Sequence, residues 1–310
     1  MKTHLWHFIA AASFAVLSSC SSIPEPTPAV SERVTMSSID EVRPIVEDKI
    51  DRFGADRVLV VFDVDDTLLT MSHDLGGVGW YDWQDALGDE AGDQPGEIGS
   101  ALFDVQGVLF EASQMMPVEE GTKELLNMLR ARGVATHGLT ARGPDYFGAT
   151  YRELRKNDLA LEIPTACEAP LCANPGVMSF EDVRAALLKD FSEDELSTIG
   201  LKTGRPAIVG NGLLMVAGQH KGLMLHLLLE SYPESDFAAI VFVDDSMTNV
   251  ENLMNIAPQL ERDVTIVHYD RLNAHNEDLA RNDERVSRAI SNWSDIESAI
   301  CGAMTSRICD

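Results

Sequence analysis

The sequence predicts an α/β fold with a mainly parallel central sheet and helices on both faces. Short apolar runs rich in β-branched residues recur at 58–63, 134–139, 238–243 and 264–268, and runs this continuous suit strands buried on both faces. Amphipathic helical stripes lie between them, as at 117–132, which is the alternation that builds a parallel sheet. Two of the runs also end abruptly in carboxylates, Asp63-Val64-Asp65-Asp66 and Asp244-Asp245. The carboxyl ends of strands in an open α/β sheet are where ligands bind.

From its start, the chain reads as a targeting segment, a tether and a domain. Lys2 and His4 precede an apolar run over 5–17 that is too short for a permanent membrane span. It ends in Leu17-Ser18-Ser19-Cys20, which resembles the lipobox of bacterial lipoproteins. That resemblance implies a signal peptide over 1–19 and Cys20 as a lipid-modified mature N-terminus. Several acyl chains on one residue hold a protein stably at a membrane face. Ser21 beside Cys20 resembles an outer-membrane sorting signal. Residues 20–37 contain Pro24, Pro26 and Pro28 among Ser, Thr and Glu, a composition expected of a tether. The domain is expected over 38–310. Its first helix opens at Ser38, with Glu41 three residues on, and stops at Gly54.

Lys plus Arg number 24 against 50 Asp plus Glu, a formal charge of −26. Such a surface disfavours nucleic acid and anionic lipid headgroups and favours divalent cations. It also slows polyanionic substrates, so the expected partners are a small substrate, phosphorylated if the motif resemblance described below holds, and, through the lipid, a membrane, with no nucleic acid. Beyond Cys20, the cysteines are Cys167, Cys172, Cys301 and Cys309. In an oxidising compartment these suggest two structural disulfides, with three pairings open.

Between 70 and 116, glycines intersperse with Trp80, Tyr81 and Trp83. A long Gly-rich stretch directly after a carboxylate-bearing strand often carries function. The aromatics either line a substrate entrance or form a small satellite core. The helix over 117–132 follows, then the strand over 134–139, which ends in Thr140-Ala141-Arg142-Gly143. A hydroxyl there can hydrogen-bond a phosphate oxygen. Arg142 either contacts a substrate anion or sits on the surface, and His137 reads as a packed core residue.

A helix over 145–156 leads into 157–218, which is too long for a simple connection and is expected to be a second insertion. It holds Cys167 and Cys172, a helix over 179–189, and the hairpin signal Asn211-Gly212. Gly218-Gln219-His220-Lys221-Gly222 then opens an apolar helix, where a lysine offers a point charge to carboxylates and phosphoryl oxygens. His220 and His226 read as structural. The strand over 238–243 presents Asp244 and Asp245, with Asn249 beyond. Residues 264–268 form a further strand, 269–283 a polar loop, and 286–300 a helix expected to pack on the sheet.

Asp63-Val64-Asp65-Asp66-Thr67 matches the DxDx[TV] signature of the haloacid dehalogenase superfamily. Thr140, Lys221 and Asp244-Asp245 match its later motifs, in order. The motif spellings also resemble a bacterial family of unassigned function on this fold, and more distantly the class B and class C acid phosphatases. The resemblance implies a Rossmann-like fold with a cap inserted over about 70–116. It implies Asp63 as nucleophile, Asp65 as general acid and base, and Thr140 and Lys221 as phosphate-binding residues. Mg²⁺ would be held by Asp63, the Asp65 backbone carbonyl and Asp244, with Asp245 orienting ligands from behind. Dehalogenases of the superfamily lack the second Asp, so a phosphohydrolase of small phosphate monoesters is expected at the cell envelope. The other readings are a phosphotransferase, or a non-catalytic lipoprotein that binds a phosphorylated ligand or a protein.

Overall fold

A computed structural model describes residues 31–89, 91, 96–161, 176–232, 237–306 and 308–309. Cys20, the lipobox and the Cys167/Cys172 pair lie outside the described residues.

The centre is an eight-stranded sheet in the order β1 (Ser31–Met36), β10 (Asp263–Tyr269), β9 (Ala239–Asp244), β2 (Val58–Phe62), β5 (Ala135–Thr140), β8 (Leu213–Met215), β7 (Ala207–Gly210) and β6 (Gly176–Met178). Pairing is parallel from β1 through β8, and the last two pairs are antiparallel. The protein is therefore α/β with a mostly parallel sheet, as the runs of β-branched residues predict. All five residues of β2 are buried, and its side chains alternate between two cores. Val58, Val60 and Phe62 face α1 (Val42–Phe53), α4 (Gly121–Arg132) and α5 (Phe147–Lys156). Leu59 and Val61 face α6 (Phe180–Leu187), α7 (Glu193–Ile199), α8 (Lys221–Glu230) and α9 (Met247–Ile256). A strand apolar at every position is the sequence signature of this double burial.

A third core lies off the sheet. After β2 the chain leaves through β3 (Leu69–Met71) and returns through β4 (Met115–Pro117), which pair as an antiparallel ribbon. Between them lie α2 (Val78–Leu87) and α3 (Leu102–Ala112), joined in packing by α10 (Asn273–Leu279) and α11 (Asp283–Ala303) from the chain's end. Trp80 is 1 % exposed at the middle of this cluster, against Leu109, Leu279 and Trp293, with Tyr81 and Trp83 packed partly buried around it. The aromatics therefore form a satellite core. Where α2 crosses α10 the backbones nearly touch, since a Cβ at Gly79 would stand 2.9 Å from the Asn276 Cα.

Four expectations differ from the structure. Residues 31–36, assigned to the tether, form the edge strand β1, because Arg33 to Met36 register along β10 and pair there despite their polar composition. The segment expected as a second insertion contributes β6, β7 and β8 to the main sheet, closed by a hairpin in which Asn211 and Gly212 both take positive φ (51 and 78°). Residues 269–283 include the helix α10, whose polar surface hid it. The C-terminal helix packs on α2, α3 and α10 through Ala289 and Trp293 and so lies off the sheet. Cys301 and Cys309 are joined by a disulfide that fastens the tail carrying the buried Ile308. Among the described residues no helix is long and apolar enough to cross a membrane.

If Trp80 is the keystone of the third core, Trp80→Ala should cost about 3–5 kcal/mol of unfolding free energy, as for other buried aromatics. Phe103→Ala, at a side chain 56 % exposed, should change it by less than about 0.5 kcal/mol. Urea denaturation of the two variants would check both, and equal costs would contradict the packing.

Candidate active site

The order of the sheet reverses at β2: the chain runs from β2 to β5 and β8 on one side, then returns to β9 on the other. Such a switch point leaves a crevice at the strands' carboxyl ends. Register brings the acidic residues together there. Phe62 pairs with Val243 on one side and Gly138 on the other, and the Asp63 N–H donates to the Val243 carbonyl at 2.8 Å. Asp63 and Asp244, each the next residue along its chain, therefore emerge side by side, with Thr140 at the end of β5 beside them.

The fourth contributor is α8. Its N-cap is His220, whose Nδ1 accepts from the Leu223 N–H, and its first residue, Lys221, is 1 % exposed. The Lys221 Nζ lies 2.7 Å from Asp63 Oδ1 and 2.7 Å from Asp244 Oδ2. Burial opposes its charge, but the two carboxylates outweigh that and raise its pKa. Asp244 Oδ1 accepts from the Ser246 N–H and from Asn249 Nδ2, both at 3.0 Å, so both its oxygens are satisfied.

Asp63 Oδ1 has no such partner. Asp63, Asp244 and Asp245 are all buried, with one oxygen of each within 4.8 Å of the others. Lys221 approaches Asp63 Oδ1 at ion-pair distance but off the hydrogen-bonding direction, which leaves that oxygen without an aligned donor. Burial, then Asp244 and Asp65, push the Asp63 pKa up to about 7 against the pull of Lys221. Burial and the neighbouring Asp63 and Asp244 push Asp245 well above the usual carboxylate range. One ammonium cannot neutralise three buried carboxylates, and unpaired buried charge is strongly disfavoured. A hard divalent cation among these oxygens removes the mismatch, and the donor set fits one. Asp245 stands in the cluster itself, among the residues that could ligate the ion.

Asp65 points elsewhere. Arg142 Nε and Nη2 donate to its two oxygens at 2.9 and 2.7 Å, a bidentate fork that fixes the carboxylate's direction. Arg142 is itself held by Thr150 Oγ1 at 2.8 Å and lies over the Phe110 ring, 3.8 Å from its centre. This residue, left between surface and substrate in the sequence, is buried and bound to Asp65 in the loop after β2. The Thr140 hydroxyl is fully buried and accepts from the Arg142 N–H at 3.2 Å.

Asp66 has φ 53°, the left-handed conformation of a tight turn, and accepts from Asn276 Nδ2 at 2.7 Å. Asn276 was invisible to sequence reasoning because α10 was read as a loop. Thr67 is fully buried in the same turn. His137 is buried in β5, and burial lowers its pKa to about 4, so it is a neutral core residue. His226 sits at 3.0 Å from Asp190, away from the site. A cleft of about 450 Å³ between β3, α2, α10 and α11 touches the acidic loop after β2 only at Asp66. Its guanidinium groups are spent on Asp74, at 2.6 Å for Arg285 and 3.5 Å for Arg288.

Residues 35–303 match the family model described as "Protein of unknown function (DUF2608)". A search of the curated proteins finds no match. The matched region covers most of the chain, from β1 through the last turn of α11, and the chain belongs to the DUF2608 family.

Proposed function

We propose that this chain is a Mg²⁺-dependent phosphohydrolase of small phosphate monoesters, built on a haloacid dehalogenase type of fold and working through an aspartyl-phosphate on Asp63. The observation that carries the reading is the convergence of Asp63, Thr140, Lys221, Asp244 and Asp245 at one crevice, with Asp65 two residues from the nucleophile. Mg²⁺ held by Asp63, Asp244, Asp245 and the Asp65 backbone carbonyl would offset the charge of the phosphoryl oxygens and of the buried carboxylates.

In this mechanism the Asp63 carboxylate attacks phosphorus in line. The phosphorus–ester oxygen bond breaks, and the departing oxygen takes a proton from Asp65. Water then attacks the aspartyl-phosphate, Asp65 accepts its proton, and inorganic phosphate leaves with Asp63 restored. Lys221 keeps Asp63 in place and, with the Thr140 hydroxyl, faces the equatorial oxygens. Arg142 sets where the Asp65 carboxyl points. The ribbon of β3 and β4 and the helices beyond it form the cap, which contacts the catalytic loop through Arg142, Phe110 and Asn276. We also propose that the protein acts at the envelope, tethered by lipid on Cys20.

Phosphate release from a panel of small monoesters should require Mg²⁺ and vanish with EDTA. Asp63→Asn should lower it by at least about 10³-fold with the urea midpoint little changed. Metal-independent release, or activity retained in the variant, would remove the nucleophile assignment; transfer of phosphate to an added alcohol in place of water would make the protein a phosphotransferase. For the anchor, Cys20→Ser should move the protein from the membrane fraction to the soluble fraction, and continued sedimentation with membranes would contradict the lipoprotein reading.

A further inference from the structure

In a chain with 24 Lys plus Arg against 50 Asp plus Glu, two cationic side chains without a carboxylate at ion-pair distance converge over Gly218, three residues before Lys221. Lys202 and Arg205 lie on the turn between α7 and β7, and both reach over Gly218. A Cβ at that glycine would stand 2.6 Å from Arg205 Nη1 and 3.8 Å from Lys202 Nζ. No ion pair joins either head to a carboxylate among the described residues; Arg205 Nη1 donates only to the Ala217 carbonyl, at 2.8 Å. Each cation disfavours the other's charge, and the proximity is felt: burial first, then Arg205, lower the Lys202 pKa.

The arrangement is held by a buried scaffold. Gln219, 3 % exposed, accepts from the Lys202 N–H at 2.8 Å and donates to the Lys202 and Arg205 carbonyls at 2.5 and 3.3 Å. Gln219 thus clamps the turn onto the loop that carries Lys221. From Gly218 to Lys221 is three residues, about 10 Å at most. α2 lies within electrostatic reach, where burial raises the Tyr81 pKa against the pull of Arg205 and Asp85 favours the charged form of Lys202. His220, below the pair, has its pKa lowered by burial and by Lys202.

We propose that Lys202 and Arg205 form a second anion subsite, so that the preferred substrate is a phosphate monoester bearing another anionic group, phosphate or carboxylate, a few bonds from the scissile one. The proposal rests on the phosphohydrolase reading for the word substrate, but the subsite itself stands on the two unpaired cations. Two charge-assisted contacts give the second anion its affinity. They add to the attraction that Asp85 already exerts on Lys202.

The test is calorimetric binding to the full chain carrying Asp63→Asn, in the presence of Mg²⁺. The probes are propyl phosphate, propane-1,3-diyl bisphosphate and 3-(phosphonooxy)propanoate; phosphate release by the unmodified protein is measured alongside. The bisphosphate or the carboxylate-bearing ester should bind roughly tenfold or more tightly than propyl phosphate, and the stronger of the two identifies the second anion. Adding Lys202→Gln and Arg205→Gln together should bring the ratio close to one while leaving propyl phosphate affinity within about twofold. Lys202→Gln alone, which removes no contact to the protein, should fall between. No preference, or a preference that survives both substitutions, would overturn the subsite while leaving hydrolysis intact. A lost preference with no phosphate release by the unmodified protein would keep the subsite and remove the hydrolase reading. Binding of none of the probes would overturn both.

Discussion

A single buried ammonium between two aspartates organises this molecule's centre. Lys221 reaches Asp63 and Asp244 at 2.7 Å each, which joins the ends of β2 and β9 to the start of α8. Removing Lys221 would leave two buried carboxylates without their cation, which typically costs about 3–5 kcal/mol, whereas removing Asp63 leaves the ammonium paired with Asp244. The sheet's register, the cap at His220 and the apolar body of α8 all serve to place that ammonium. Yet it balances only part of the negative charge around it. The raised pKa values of Asp63 and Asp245 mark the rest as a place for a cation.

The three aspartates of the loop after β2 are held from different directions. Asp63 is fixed from the sheet by the Val243 carbonyl and by Lys221. Asp65 is fixed by Arg142, whose guanidinium lies on Phe110 of α3 and touches Met115 Sδ in β4 at 3.3 Å. Asp66 is fixed by Asn276 of α10. A movement of the β3–β4 ribbon and its helices relative to the sheet would therefore reach Asp65 and Asp66 before Asp63. In the proposed mechanism that separates the attacking carboxylate from the group that moves protons.

The parallel sheet was legible because burial on both faces leaves a trace in each residue of β2 and β9. The carboxylate clusters were legible because charge at the end of such a strand has few structural explanations. What escaped detection depended on partners distant in sequence. Strand β1 is polar and stands at an edge, so nothing in its composition separates it from a tether. Helix α10 buries little apolar surface of its own, and Leu279 alone in it is fully packed. Trp80 reads equally as entrance or core until α11 is laid against it. The bonding of Arg142 to Asp65 spans 77 positions, and no local pattern encodes it.

The most direct test of the account is ¹⁹F NMR of the full chain with beryllofluoride, a phosphoryl mimic that settles on an activated carboxylate beside a divalent cation. The account predicts bound fluorine signals that require Mg²⁺ and are absent in Asp63→Asn. Bound signals that persist in that variant, or none with Mg²⁺ present, would contradict the claim that Asp63 and its cation form the reactive centre.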